Sequence, residues 1–491
     1  MAISDAQYAA WLVADNKTRV VLVEVQAYSG GSVVTRYFSN RGFTSYPSDS
    51  PASTAYEDIL IKVPLIRSQM ADVFKGKSLV SFGDIDIDNA NGVRDSWLLD
   101  AWDGRPVKIH LGDPSWPKSD FRQIFFGTIE DIQASGNRTL TLRIRDRQHL
   151  LDVPLQTNRI GGAGTTKDQR IPVCYGEVKN IEPVLIDSAT RKYQIHDGSI
   201  QSLDAVYQDG VLLAGANYTA TLGSGFFVMN VAVTGRITCD VKGGNASSYV
   251  NTTADIIKRI ITDRTSLTSG DIDSTSITQL NTDAPGVVGV YINDDTATVL
   301  STLDTLVVGA GAYYCIGRDG KVVVGLFKVP SGTPVLTVTD DDVKLSSLEL
   351  VKRYTPLKSV RVGYAKFYVT IDSGASATLN EATRQRLSDQ YLISYASTGV
   401  TNFLLAIDGD VEGTCYVNSS DAATEVSRRA TLWGSLRRVF RFTSTLASQQ
   451  VKLGDVVQLS FARYSLNGVL ANVVGITEST TSNLVELEVF L

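Results

Sequence analysis

Over most of this 491-residue chain, apolar and β-branched residues gather in short runs separated by clusters of Gly, Pro, Asn and Ser. Runs of this length and spacing predict antiparallel strands, in which successive side chains take opposite faces. In the first part they cover residues 18–27, 33–38, 58–63, 79–88, 106–111, 123–132 and 139–145, with Ser29-Gly30-Gly31-Ser32 as the turn of an opening hairpin. Ser4 or Asp5 is placed to cap a short helix over 6–14, whose Tyr8, Trp11 and Leu12 form an apolar stripe suited to plugging a barrel or covering a neighbour. A glycine-rich linker over 158–167 then leads to short strands at 171–174, 184–186, 193–196, 205–207, 211–213, 226–228 and 235–241, with Asp209-Gly210 as a hairpin turn.

The period changes between 250 and 330. Thr252 and Thr253 precede a helical run in which Ile256, Ile257, Ile260 and Ile261 fall on one side. Residues 264–285 read as a polar loop and 287–292 as a short strand. Asp294 or Asp295 is placed to cap a second helix carrying Ala297, Leu300, Leu303, Leu306 and Val307, which ends at Gly309 and Gly311. Strands at 313–316 and 321–327 then form a hairpin around Arg318-Asp319-Gly320.

Strand character returns at 335–338, 345–352 and 358–368, whereas 380–387 is charged and reads as loop or short helix. Ser420 and Asp421 cap a helix with Ala423, Val426, Ala430 and Trp433 at helical spacing, and Arg428 and Arg429 are expected to complement the dipole of that helix. The last strands are 437–443, 456–461, 469–476 and 485–491, with Asn467-Gly468 predicted as a hairpin turn. The pattern as a whole predicts a mainly β, multi-domain protein with a smaller α/β portion. The expected units are a β domain at 1–157, a small β domain at 158–249, an α/β domain at 250–333, and a second β domain with one helix at 334–491.

Composition narrows the function more than the fold. With 43% hydrophobic and 20% charged residues the chain is of the ordered globular kind, and 46 basic against 52 acidic residues disfavour a general nucleic-acid-binding surface. Cys174, Cys239, Cys315 and Cys415 lie far apart and are expected to be free thiols of a protein made in a reducing cytosol. The first residues lack a basic region followed by an apolar run, and no apolar window is long enough to span a bilayer, so neither export nor membrane anchoring is expected.

Candidate chemistry is sparse. The three histidines, His110, His149 and His196, fall in separate segments, and neither HExxH nor GxSxG occurs. The glycines before Lys167 are not a phosphate loop, because Thr166 precedes the lysine and Asp168 follows it. Asp84, Asp86 and Asp88, with Asn89 and Asp95, have some of the spacing of a calcium loop but lack its glycine and terminal glutamate. Their alternation with Ile85 and Ile87 favours a half-buried strand. Asp340-Asp341-Asp342 and Asp408-Gly409-Asp410 read as turns, with a carboxylate pair of a polysaccharide-cleaving enzyme as the alternative. No catalytic, cofactor-binding or metal-binding residue is assigned, and no cofactor is expected.

Three separated stretches carry a resemblance. Asn251-Thr252-Thr253-Ala254-Asp255-Ile256-Ile257, with Gly289-Val290-Tyr291-Ile292 and the hairpin from Tyr313 to Val324, resembles the tail-hub (baseplate hub) proteins of tailed bacteriophages. So do the segment Trp97 to Val107 with Phe126-Gly127-Thr128-Ile129-Glu130-Asp131-Ile132, and Leu453-Gly454-Asp455-Val456-Val457-Gln458-Leu459 with the final strands. The resemblance implies a structural, non-enzymatic virion protein of the tail tip, assembled in the host bacterial cytoplasm. It implies that the first and last β domains share the tail-tube fold and that three chains form a ring matching a sixfold tube. The implied partners are two further copies, the tail tube or distal tail protein, a central spike or fibre and the tape measure protein. DNA would pass through the channel without specific binding, and the acidic strand at Asp84, Asp86 and Asp88 would either line that channel or face outward. The end at Leu491, without the long fibre, lysozyme or needle extension of some members of that family, leads to the expectation that any tip activity comes from a partner chain. A tailspike-like polysaccharide depolymerase and a peripheral receptor-binding tail protein are the alternatives.

Overall fold

The computed structural model describes residues 2–14, 17–63, 65–70, 82–162, 164–445, 450–479 and 484–491. It is mainly β and multi-domain, with strands in six sheets and helices concentrated in the second half. In Val20–Ser29, Val21, Val23, Val25 and Ala27 point inward and are almost wholly buried. Gly30 and Gly31, at φ of 58° and 88°, turn the chain into Ser32–Ser39 as the sequence predicts. These two strands belong to a nine-stranded sheet that continues through Pro106–Gly112, Arg122–Ser135, Thr139–Asp146 and Phe82–Asp88 to Leu60–Lys62. Of the strand predicted over 79–88, residues 79–81 lie outside the described residues.

Helix α1 (Asp5–Val13) begins at a capping box between Ser4 and Gln7. It lays Tyr8 and Leu12 into the same core, and the Trp11 ring packs 4.9 Å from that of Trp116. The expected plugging role therefore has a physical counterpart: a short apolar stripe covers one part of the sheet.

The last β unit forms a seven-stranded sheet from Leu336–Thr339, Val456–Phe461, Leu466–Glu478, Leu484–Phe490, Arg437–Thr445 and Glu349–Tyr354, and its seventh strand comes from the first unit. Ile66–Gln69 pairs with the second half of Leu466–Glu478, in the register Ile476↔Ser68. The chain thus leaves the edge of the first sheet at Lys62 and enters the last sheet at Ile66. One hydrophobic core takes Val23, Ile85, Ile109 and Leu142 from the first sheet, and Phe442, Leu459, Val473 and Leu487 from the last.

Between these sheets in sequence lie two further cores. One is the β core around Val178, Val206, Phe227 and Cys239, and the other surrounds the helices. Val173–Ile181 pairs with Ile237–Gly244 on one side and with Gly289–Ile292 on the other, so a single five-stranded sheet runs across residue 250.

Helix α2 (Thr253–Arg264) is capped by Thr252, and Ile256, Ile257, Ile260 and Ile261 are fully buried. The stretch expected as a polar loop contains helix α3 (Ser274–Asp283), capped by Asp273. Only Ile277 and Leu280 are apolar and buried in it, too few for a visible stripe, and its helical state comes from packing on α2 and on Val322–Leu326. Helix α4 (Val299–Ala310) is capped by Thr298 rather than Asp294 or Asp295, because Asp294 instead accepts hydrogen bonds from the Thr296 N–H and hydroxyl. Helix α5 (Glu381–Ser388) is short, and helix α6 (Ser419–Trp433) covers one face of a three-stranded sheet made of Leu392–Ser397, Ser359–Tyr364 and Asp408–Gly413. Asp408-Gly409-Asp410 is therefore strand and not turn. The hairpin of Val456–Phe461 and Leu466–Glu478 turns at Tyr464 and Ser465, both at positive φ, while Gly468 sits at a bulge opposite Leu459 and Ser460.

Candidate assembly surface

The residues singled out by sequence stand apart from one another. His110 is buried in the first sheet, and its Nδ1 lacks a hydrogen-bond partner. His196 accepts the Cys174 N–H at Nδ1 (3.0 Å) in the second unit. His149 bonds to the Asp146 carbonyl through Nδ1 (2.8 Å) near the end of the first unit. Burial lowers all three pKa values, to about 4 for His110 and His196. Among the described residues, no group of three or more His, Cys, Asp or Glu is placed to hold a metal ion. The four cysteines are unpaired.

The two strongly buried imidazoles give a pH prediction with a definite sign. Their folded pKa lies below the ordinary value of 6.5, so between pH 6.5 and 4 the unfolded chain binds protons that the folded chain refuses. Their contribution is fully present above pH 6.5 and is lost as the pH falls towards 4, by up to about 3 kcal/mol for each ring. Unfolding free energies measured across this window should rise with pH, and the paired substitutions His110→Asn and His196→Asn should flatten the slope. A slope unchanged in the double variant would assign it to carboxylates instead.

Lys167 sits in a turn whose Thr166 hydroxyl donates to the Leu185 carbonyl (2.8 Å), an arrangement with no phosphate-loop geometry. Asp340–Asp342 is a single 3-10 turn capped by Thr339. Asp84, Asp86 and Asp88 occupy one side of their strand, while Ile85 and Ile87, fully buried, occupy the other. Across the sheet Asp84 faces Arg143 and Asp86 faces Thr141, whose hydroxyl donates to it (2.7 Å). The acidic strip is thus partly compensated and belongs to a polar face opposite the core. On the last sheet the matching polar face holds Arg441, paired with Glu488 (2.5 Å), and Gln69, which donates to Glu488 (2.7 Å).

The helical unit is tied to both sheets by charge. Arg318, at the hairpin turn, pairs with the buried Glu478 and donates to the Val451 carbonyl (2.9 Å). Arg147 pairs with Asp271 (2.8 Å) and donates to the Gly320 carbonyl (3.1 Å). Partners supplied on both sides of the hairpin fix its position against the first and last sheets.

Two surfaces escaped the sequence reading. The uncovered face of the three-stranded sheet presents Ile393, Tyr395 and Val411, each about half exposed, beside the fully projecting Leu404 and Leu405. Alternation of Ile393 and Tyr395 with Ser394 and Ala396 was the available signal, but it does not tell which face is covered. The second is a cleft of about 770 Å³ between the second unit and α4. Its polar residues come from four separate stretches, which leaves no local motif to read.

No protein-family model matches this sequence, and no curated protein does. Among solved structures the chain is similar to a tail protein from Neisseria meningitidis, at 11% identity and a TM-score of 0.39 over 96% of each chain. It is similar to a prophage tail protein from Shewanella oneidensis, at 9% identity and a TM-score of 0.42 over 96% of this chain and 98% of that one. A prophage tail protein from Listeria monocytogenes gives 6% identity and a TM-score of 0.44 over 96% and 94%.

Proposed function

We propose that this chain is a structural component of a bacteriophage tail tip, a hub that joins the tail tube to a central spike or fibre. The observation that carries this reading is the single core shared by the first and last β units, with Leu60–Lys62 in one sheet and Ile66–Gln69 in the other. Such a chain offers two β units held rigidly side by side, so three chains supply six units around an axis. The stretches that resemble tail hubs fall in these units, in the hairpin wedged against them, and in α2 and the strand Gly289–Ile292. The half-exposed face at Ile393, Tyr395 and Val411 fits a protein that buries more surface on assembly than it does alone.

In this reading the hub is a homotrimer in the virion, assembled in the host cytoplasm. It contacts the tube or distal tail protein above, the spike or fibre below and the tape measure protein within. Its work is mechanical: it holds a channel open for DNA without binding it specifically, and no residue performs chemistry. The polar face with Asp84, Asp86 and Asp88 lines part of that channel, where carboxylates repel the phosphate backbone instead of retaining it.

Sedimentation and negative-stain imaging of the purified protein, alone and with tube protein, test the reading. Three copies in a ring with a central opening and pseudo-sixfold outline are expected. A stable monomer that forms no ring on adding tube protein would refute it.

A further inference from the structure

The cleft of about 770 Å³ lies where the strand Val184–Asp187, the end of Gly289–Ile292, the first turns of α4 and the segment around Tyr368 meet. Its size is that of a small-molecule site. Its chemistry is unusual in being one-sided. From α4, the Ser301 and Thr302 hydroxyls both donate to the Thr298 carbonyl (3.0 and 2.9 Å), and the Thr305 hydroxyl donates to the Ser301 carbonyl (3.0 Å). Thr166 donates to the Leu185 carbonyl (2.8 Å) and Thr296 to the Asp294 carboxylate (2.8 Å). The two tyrosines do the same, Tyr291 to the Glu182 carbonyl (2.8 Å) and Tyr368 to the Gly289 carbonyl (3.2 Å).

Every hydroxyl of the lining has therefore spent its proton on the protein; Thr302 and Tyr291 are buried, and the accessible oxygens of Thr166, Thr296, Ser301 and Thr305 offer lone pairs to the cleft. The carboxylates of Glu182 and Asp294 add acceptors, and hydrogen bonds from Thr296 hold Asp294 below the usual carboxylate range. Among the described residues no Lys or Arg lines the cleft, and Asn293 contributes the one side-chain amide. An anion or a phosphate ester finds no cation there. A ligand rich in hydrogen-bond donors finds many acceptors, and Pro183, Val184, Ala297 and Val369 give it apolar ledges. A cationic peptide is the less suited donor, because Arg236 (3.3 Å from Glu182) and Arg170 near Asp294 already offset the two carboxylate charges, whereas their oxygens still accept from a neutral hydroxyl.

We propose that this cleft binds a neutral saccharide, with sugar hydroxyls donating to the hydroxyl and carboxylate oxygens and sugar C–H faces resting on the apolar ledges. The site is argued apart from the hub reading, since its lining comes from one chain and lies outside the core shared by the first and last sheets. It gives the protein a glycan contact away from the two tube-like sheets.

Saturation-transfer NMR on the full-length protein, with chitotriose, maltotriose and trilysine as separate probes, tests this. Transfer to at least one trisaccharide at millimolar concentration is expected, with none to trilysine. Thr305→Arg, an exposed helix position, fills the cleft and should weaken binding at least about tenfold, with the melting temperature unchanged. Asp294→Asn removes an acceptor charge and should weaken it by a smaller factor. Absence of transfer to both sugars, transfer to trilysine alone, or sugar transfer that survives Thr305→Arg would each overturn the assignment.

Discussion

Replacing Arg429 with methionine should lower the unfolding free energy by about 3–5 kcal/mol, the usual cost of removing one partner from a buried ion pair. Arg429 is 5% exposed and Glu425 is 4% exposed, so neither charge has water to fall back on. The guanidinium donates to Glu425 (2.5 Å), pairs with Glu412, and donates to the carbonyls of Val308 (3.0 Å) and Gly309 (2.8 Å). Those carbonyls belong to the last turn of α4, where helical acceptors run short of N–H donors, although the Val308 carbonyl also accepts the Gly311 N–H (3.2 Å). Arg429 therefore binds the end of α4 to α6 and, through Glu412, to the three-stranded sheet. Methionine keeps much of the volume but leaves the Gly309 carbonyl and part of a carboxylate without the guanidinium, while the Val308 carbonyl keeps the Gly311 N–H. Arg428, which also pairs with Glu425 (2.7 Å), keeps the loss from being larger. Chemical denaturation of the variant beside Glu412→Gln provides the check. Glu412 is half exposed, so its substitution should cost far less, and equal losses would mean that the buried arrangement is not what stabilises the joint.

Arg429 also shows where the sequence stops informing. Its place near the end of α6 predicts a surface cation complementing that helix, and its charge goes instead to the end of a different helix more than a hundred residues earlier. Nothing local encodes that choice. The elements that were legible carry their own local signals: the isoleucine stripe of α2, the paired glycines at Gly30 and Gly31, and the Asp209-Gly210 turn, with φ of 48° and 82°. Helix α3 was illegible because its two inward residues are too few, and its state is decided by what it packs against. The Asn467-Gly468 signal misled for a physical reason: positive φ at Gly468 serves a bulge equally well, and the bulge moved the turn back to Tyr464 and Ser465. Alternation in the first and last sheets announced two faces per strand. It could not announce that the inward faces of both sheets meet in one core, because partner identity is not a periodic property.

The separation of the helical core from the shared β core leads to the largest expected effect. Ile260 is fully buried among Ile256, Ile257, Leu280 and Leu303, a cluster distinct from the one that joins the first and last sheets. Ile260→Asp removes a full apolar side chain and places a carboxylate where no cation or donor waits, which should cost about 5 kcal/mol or more. A loss of that size exceeds what one small core can absorb, so residues 250–330 should open while the first and last sheets stay folded. The ties through Arg147 and Arg318 are then lost from one side only, since Asp271 and the hairpin leave together while Glu478 and the sheets remain. Limited proteolysis read by mass spectrometry should show cleavage concentrated between 250 and 330, with large protected fragments on either side. Ile260→Val, worth about 1 kcal/mol at such a site, should digest like the parent and rules out a nonspecific response to any change at the position. Uniform digestion of the Ile260→Asp chain would mean that the helical unit and the β units unfold as one, and that the two cores are separate in packing without being separate in stability.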